Sequence, residues 1–542
     1  MKAQRVLAIG LDGYEASLGD RLMSAGELPA LAALRQRSAC FLLEHGPAQR
    51  TGLAWEHVSS GLAPDSGGRW APVHLDPASY TVWQEGTSLT PFAGRVDART
   101  VVFDTPYFDL AKAPAVEGIV NWGVHDAGAA TCARPADLLA EFEARFGAYP
   151  AHDWIYGFAW PSAERCRKMG ELLARAAEVR AQGARWLLGE RLPEWDLALV
   201  VTGELHSAIE GLWHGVDETH PLHGLPSAGP AGEGLRAVYR AVDRLVGTLV
   251  DAFPDATAVV FATGGMGPNL SDVASMALLP ELLYRHAFGR PLMRKHAAWS
   301  DAPAGVPILG EDANWSRDVS ALIPEDRSAR TVVRRSASRL VPARVKRMLR
   351  GAPPGPDPMA TSPLRLPLGW MPATRYQPYW RAMRAFALPS FYDGRIRVNL
   401  AGRERNGSVR PSEYGTVLDE IETLLRACRD PATGEGAIEY VERPGRGRDP
   451  RTLGPTDSDL TVVWRGPLAL DHPTLGRVGP VPYRRTGGHT GLHGLAYCSG
   501  PGIAAGDRGV RSTFDVVPTL IELLGASPPP GLSGTSLFAA RG

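Results

Sequence analysis

Four short apolar runs limit what this chain can fold into. They are Val6–Gly10, Trp195–Thr202, Ala256–Ala262 and Gly494–Cys498. Each is too continuously apolar for a sheet with one wet face, so each reads as a strand buried between two layers. A helical pattern through Leu22, Leu28, Leu31 and Leu34 follows the first run, and another from Gly234 to Phe253 precedes the third. Strands alternating with helices predict an α/β fold: a doubly wound, mostly parallel sheet flanked by helices. In such sheets, chemistry gathers just beyond the C-terminal ends of the strands.

The chain has 542 residues, far more than these elements need. We read it as one α/β domain, 1–542, with large insertions at about 70–190 and 271–390. The first is rich in Trp, Tyr, Pro and His and is expected to shape a substrate pocket. Trp83, Tyr107, Trp122, His125 and Asp126 are its candidate pocket residues, with Trp122, His125 and Asp126 favoured for substrate binding. In the second insertion, Arg327 to Arg350 holds nine basic residues and no acidic one. Pro342 interrupts its helical spacing, so it reads as a solvated or flexible segment. A lid over an anionic substrate and a contact with an anionic membrane are the alternatives. Lys+Arg and Asp+Glu both number 58, so no nucleic-acid partner is expected. Five widely spaced cysteines without a CxxC predict no disulfide framework. The opening apolar run is too short for a membrane span. A cytoplasmic location is the expectation.

Four places carry candidate chemistry. Asp12 follows the first strand and is either a cation ligand or a helix cap. Thr51, in Arg50-Thr51-Gly52-Leu53-Ala54-Trp55, is either a helix cap or a hydroxyl nucleophile at a helix start. His206 and Glu210 would share one helix face at i and i+4, as half of a metal site or as a surface pair. Arg484 and Arg485 could hold an anion beside Gly487-Gly488-His489. His489 would complete a two-His, one-carboxylate set, and spacing alone does not exclude His493 in its place.

In this order, several segments resemble the type I phosphodiesterase/nucleotide pyrophosphatase branch of the alkaline phosphatase superfamily. They are Val6 to Gly13, Gly26-Glu27-Leu28-Pro29-Ala30-Leu31, Thr51 to Trp55 with Ser60 to Pro64, Gly500 to Ile503, and Asp515 to Leu520. Pro389 to Gly407 also looks like a segment of bacterial members. The resemblance implies a metal-dependent hydrolase with Thr51 as nucleophile and a small anionic ester, phosphate- or sulfate-type, as substrate. It also implies two metals, usually zinc. One would map to His206, Glu210 and His489, with Glu210 where the family has His. The other would need Asp12, Thr51 and an Asp-His pair, but Thr263-Gly264 stands at the pair's position. The expectation is therefore one divalent metal, zinc or else manganese, with the second metal short of ligands. A group transferase and a binding protein on the same fold are the alternatives.

Overall fold

The computed structural model describes residues 5–86, 89–123, 131–302, 305–325, 365–445, 447–452 and 457–540. His125, Asp126 and the basic segment from Arg327 to Arg350 lie outside them.

The central sheet has nine strands. In spatial order they are Gly506–Ser512, Ala39–Glu44, Gly494–Ser499, Thr257–Ala262, Val6–Leu11, Leu197–Thr202, Thr100–Phe103, Glu117–Val120 and Cys132–Arg134. Gly494–Ser499 and the edge strand Cys132–Arg134 run antiparallel to their neighbours; every other pairing is parallel. The fold is thus α/β with a mostly parallel sheet, and the four apolar runs form strands within it. The first strand shows why. Leu7, Ile9 and Leu11 enter one apolar core, while Val6 and Ala8 enter another on the opposite face.

Two long helices, Ala163–Trp186 and Ala228–Ala252, cover the first face. They approach so closely that a Cβ on Gly170 would lie 2.3 Å from the Gly234 Cα. The pattern through Leu22 to Leu34 is not one helix but two, Ala16–Ser24 and Pro29–Gln36. Gly26 takes φ +76° between them, and Pro29 opens the second, so one continuous helix is not formed.

A fully buried ion network braces the sheet beneath the site. Arg180 reaches Asp104 at 2.6 Å and Glu204 at 2.8 Å. Glu204 opens the helix Glu204–Leu212, so this network fixes where that helix starts.

The two insertions pack together. Val73–Asp76, Thr81–Glu85 and Arg365–Pro367 form a small sheet that joins them. Ala385–Leu388, Gly394–Val398, Leu460–Trp464 and Ile438–Glu442 form an antiparallel sheet beside the helix Tyr414–Arg426. These elements share an apolar core of their own, separate from the two cores of the main sheet. The five cysteines are free thiols. Among the described residues, no helix is long and apolar enough to cross a membrane.

Candidate active site

Parallel pairing brings two strand ends together. Leu11 lies opposite Thr202, and the Asp12 N–H donates to the Thr202 carbonyl at 2.9 Å. Gly13 follows with φ +75°, and a Cβ there would lie 2.4 Å from the His206 Cα. Only glycine accepts both the conformation and the contact. The first strand therefore ends against the helix that carries His206 and Glu210.

His489 reaches the same point from Gly487–Gly491. The Thr486 N–H donates to the Glu210 carbonyl at 2.9 Å, and Gly487 packs too tightly on Ile209 to hold a side chain. This segment is locked onto the end of the helix. The result is a compact donor cluster. His206 Nε2 and His489 Nε2 are 2.8 Å apart, and Glu210 Oε1 is 3.6 Å from His206 Nε2. The ligand atoms of His206, Glu210 and His489 all lie within 4.8 Å of one another. Burial, helped by the Arg485 charge, holds the His489 imidazole down at about 4. It is thus neutral at physiological pH, the state in which an imidazole can ligate a metal.

The two arginines are held differently. Arg485 is buried, and its guanidinium pairs with the second Glu210 oxygen. Burial lowers Arg485 to about 10. Arg484 pairs with Asp272 at 2.7 Å. Each also lies near an exposed aromatic ring, Arg484 5.1 Å from the Trp370 centroid and Arg485 5.7 Å from that of Tyr156.

All of these groups border one cavity of about 1020 Å³, together with Asp12, Tyr107, Thr263 and Gly264. Asp12 lies outside the three-residue donor cluster, the one such group found among the described residues. It is a buried carboxyl group that burial lifts to about 7, against hydrogen bonds from Trp55 and the Gly13 N–H that favour its charged form. The expected second-metal set is thus not brought together. The positions of Thr263 and Gly264 are open to the cavity, and Gln49 lies 3.9 Å from where a Gly264 Cβ would stand.

Thr51, Trp122 and Trp83 stand elsewhere than their sequence context suggests. Thr51 ends a short 3₁₀ turn rather than opening a helix, because Gly52 at φ +69° separates it from Ala54–Ser60. Its buried hydroxyl donates to the Ala48 carbonyl at 2.7 Å and accepts from the Leu53 N–H at 3.1 Å. It borders a neighbouring cavity, not the one that holds the donor cluster. Trp122 is a core residue, packed on Phe103, Phe142 and Tyr149, because Asp104 accepts the Trp122 and Gly123 N–H groups and holds that loop inside. His493 and Trp83 do not border the large cavity.

Some cavity residues were not singled out from the sequence. Tyr392 stands edge-on to His489 at 4.9 Å and fills the space that a side chain on Gly52 would need. It lies in the Pro389 to Gly407 segment, which was the available signal. Tyr156 and Trp370 come one from each insertion, with no motif to mark them.

Among curated proteins, none matches the sequence. Phosphonoacetate hydrolase from Sinorhizobium meliloti 1021, solved with phosphonoformate, is structurally similar over 96% of this chain and 95% of its own, at 14% identity and TM-score 0.48. Human ectonucleotide pyrophosphatase/phosphodiesterase 5 is similar over 99% and 98%, at 10% identity and TM-score 0.43. The family model for type I phosphodiesterase / nucleotide pyrophosphatase matches residues 6–347, more than half of the sequence. The chain belongs to that family.

Proposed function

We propose that this protein hydrolyses a phosphate-type ester of a small molecule at the His206–Glu210–His489 centre. The observation that carries this reading is that two imidazoles and one carboxylate converge in the lining of a single cavity that two arginines also border.

Two histidines and a carboxylate are a donor set used by catalytic zinc, and the neutral His489 imidazole fits it. The carboxylate leaves room for manganese, which favours oxygen ligands. Such an ion would polarise the ester as a Lewis acid. The chain's own groups do the rest. Arg484 and Arg485 bind the oxyanion and oppose the charge that builds as the ester bond breaks. Asp12 titrates near neutrality, the range suited to a general base.

In this reading water is the attacking group. Its oxygen bonds to phosphorus as its proton passes to the Asp12 carboxylate, the ester P–O bond breaks, and the leaving alkoxide takes a proton from solvent to depart as the alcohol. Attack by Thr51 would first require its hydroxyl to leave both Ala48 and Leu53.

The test is a zinc- or manganese-loaded panel of p-nitrophenyl phosphate, bis(p-nitrophenyl) phosphate and p-nitrophenyl sulfate. Turnover of a phosphate ester that Asp12→Asn lowers by about 10²- to 10⁴-fold supports the reading. No turnover of any ester by metal-bound protein would turn the assignment to a binding protein.

A further inference from the structure

Glu210 divides its two oxygens. Oε1 faces His206, and the other oxygen is held by the Arg485 guanidinium. Arg485 cannot easily withdraw. The next residue, Thr486, is hydrogen-bonded to the Glu210 carbonyl, and Gly487 is packed against Ile209. The Tyr156 ring lies over the same guanidinium.

This arrangement fixes the charge balance. The single negative charge among the three donors is already matched by Arg485. Arg484 is likewise matched by Asp272. A divalent ion among the donors therefore brings two positive charges into a mostly buried site where the donors themselves leave no negative charge over and the Asp12 carboxyl on the same cavity can offset at most one. Buried charge without a partner is costly. An oxyanion entering the same cavity would supply what is missing and would find both arginines there.

We infer that this centre binds its metal and its anion as a coupled pair, with Arg485 as the residue that sets the coupling. Bound alone, the metal is weakened by the guanidinium on Glu210. With an anion present, the guanidinium is shared with the anion and the metal is held more tightly. The same residue makes an anion bind poorly without metal, because coupling between two ligands is reciprocal. This inference rests on the metal reading above.

The test is a chelator-buffered zinc titration of the full chain, with and without inorganic phosphate, read as bound zinc. In the unaltered protein, phosphate should tighten zinc by roughly tenfold or more, within the usual range of coupling between sites. Arg485→Met should bind zinc more tightly without phosphate and lose most of the phosphate effect. Arg485→Lys keeps the charge and should keep the effect, which separates lost charge from a damaged fold. Two results overturn the inference alone: zinc that binds equally with and without phosphate in the unaltered protein, or an undiminished phosphate effect in Arg485→Met. If neither the unaltered protein nor Arg485→Lys takes up zinc under either condition, the metal reading itself fails.

Discussion

Asp12 shows a single residue serving two roles that conflict. Its folded value of about 7 lies above its ordinary 3.8, so the folded state holds the proton more firmly than the unfolded chain. Its contribution is therefore neutral below about pH 4, grows more destabilising as pH rises from there to about 7, and levels off above that. The shift corresponds to roughly 4 kcal/mol at high pH. In metal-free protein, Asp12→Asn should raise the melting temperature at pH 8 and leave it nearly unchanged at pH 4; in metal-loaded protein it should remove the activity limb that rises near pH 7. A uniform change in melting at both pH values would speak against a buried, shifted carboxyl. Thr51 gives the complementary experiment. With water as the attacking group, Thr51→Ala should keep kcat within about tenfold, since it loses hydrogen bonds but no reacting atom. Complete loss of turnover in a normally melting Thr51→Ala protein would restore Thr51 as the nucleophile.

Elements were legible where physics left few choices. The strands could be read because burial on both faces forces a continuous apolar run. The helix carrying His206 and Glu210 was legible because i and i+4 residues share a face. Thr51 ends its 3₁₀ turn because the left-handed Gly52 separates it from the helix that follows, a break that the run of residues does not announce. Trp122 looked like a pocket residue in an aromatic stretch, and the buried Asp104 carboxylate, distant in sequence from the helix that pairs it, turned it into core. Arg180 carries the main element-scale expectation. Arg180→Met leaves two buried carboxylates without their cation, which should cost about 3–5 kcal/mol in urea unfolding. A loss below 1 kcal/mol would show that the network does not brace the His206 helix.

At the scale of the molecule, the fold brings distant segments to one end of a parallel sheet. The donor cluster joins residues 206, 210 and 489, and the cavity walls add Tyr156 and Trp370 from the insertions and Tyr392 from the Pro389 to Gly407 segment. Tyr156 and Trp370 were not legible because nothing local marks them; long-range packing of the two insertions places them. Gly13 is the hinge between the first strand and the cluster. Gly13→Ala should weaken metal binding and destabilise the fold by about 1–3 kcal/mol, the scale of a residue forced into a left-handed conformation. Zinc uptake and melting should fall together. A fully stable Gly13→Ala protein with unchanged zinc uptake would show that the close approach to His206 is not required.

The central claim is that the His206–Glu210–His489 centre hydrolyses a phosphate-type ester. The most direct measurement is hydrolysis of bis(p-nitrophenyl) phosphate and p-nitrophenyl phosphate by zinc-loaded protein beside His489→Ala, with melting curves for both. Turnover of at least one ester is expected, lowered by about 100-fold or more in His489→Ala, with the metal-free melting temperature unchanged. Equal turnover in the two proteins, or none in the zinc-bound unaltered protein, would contradict it.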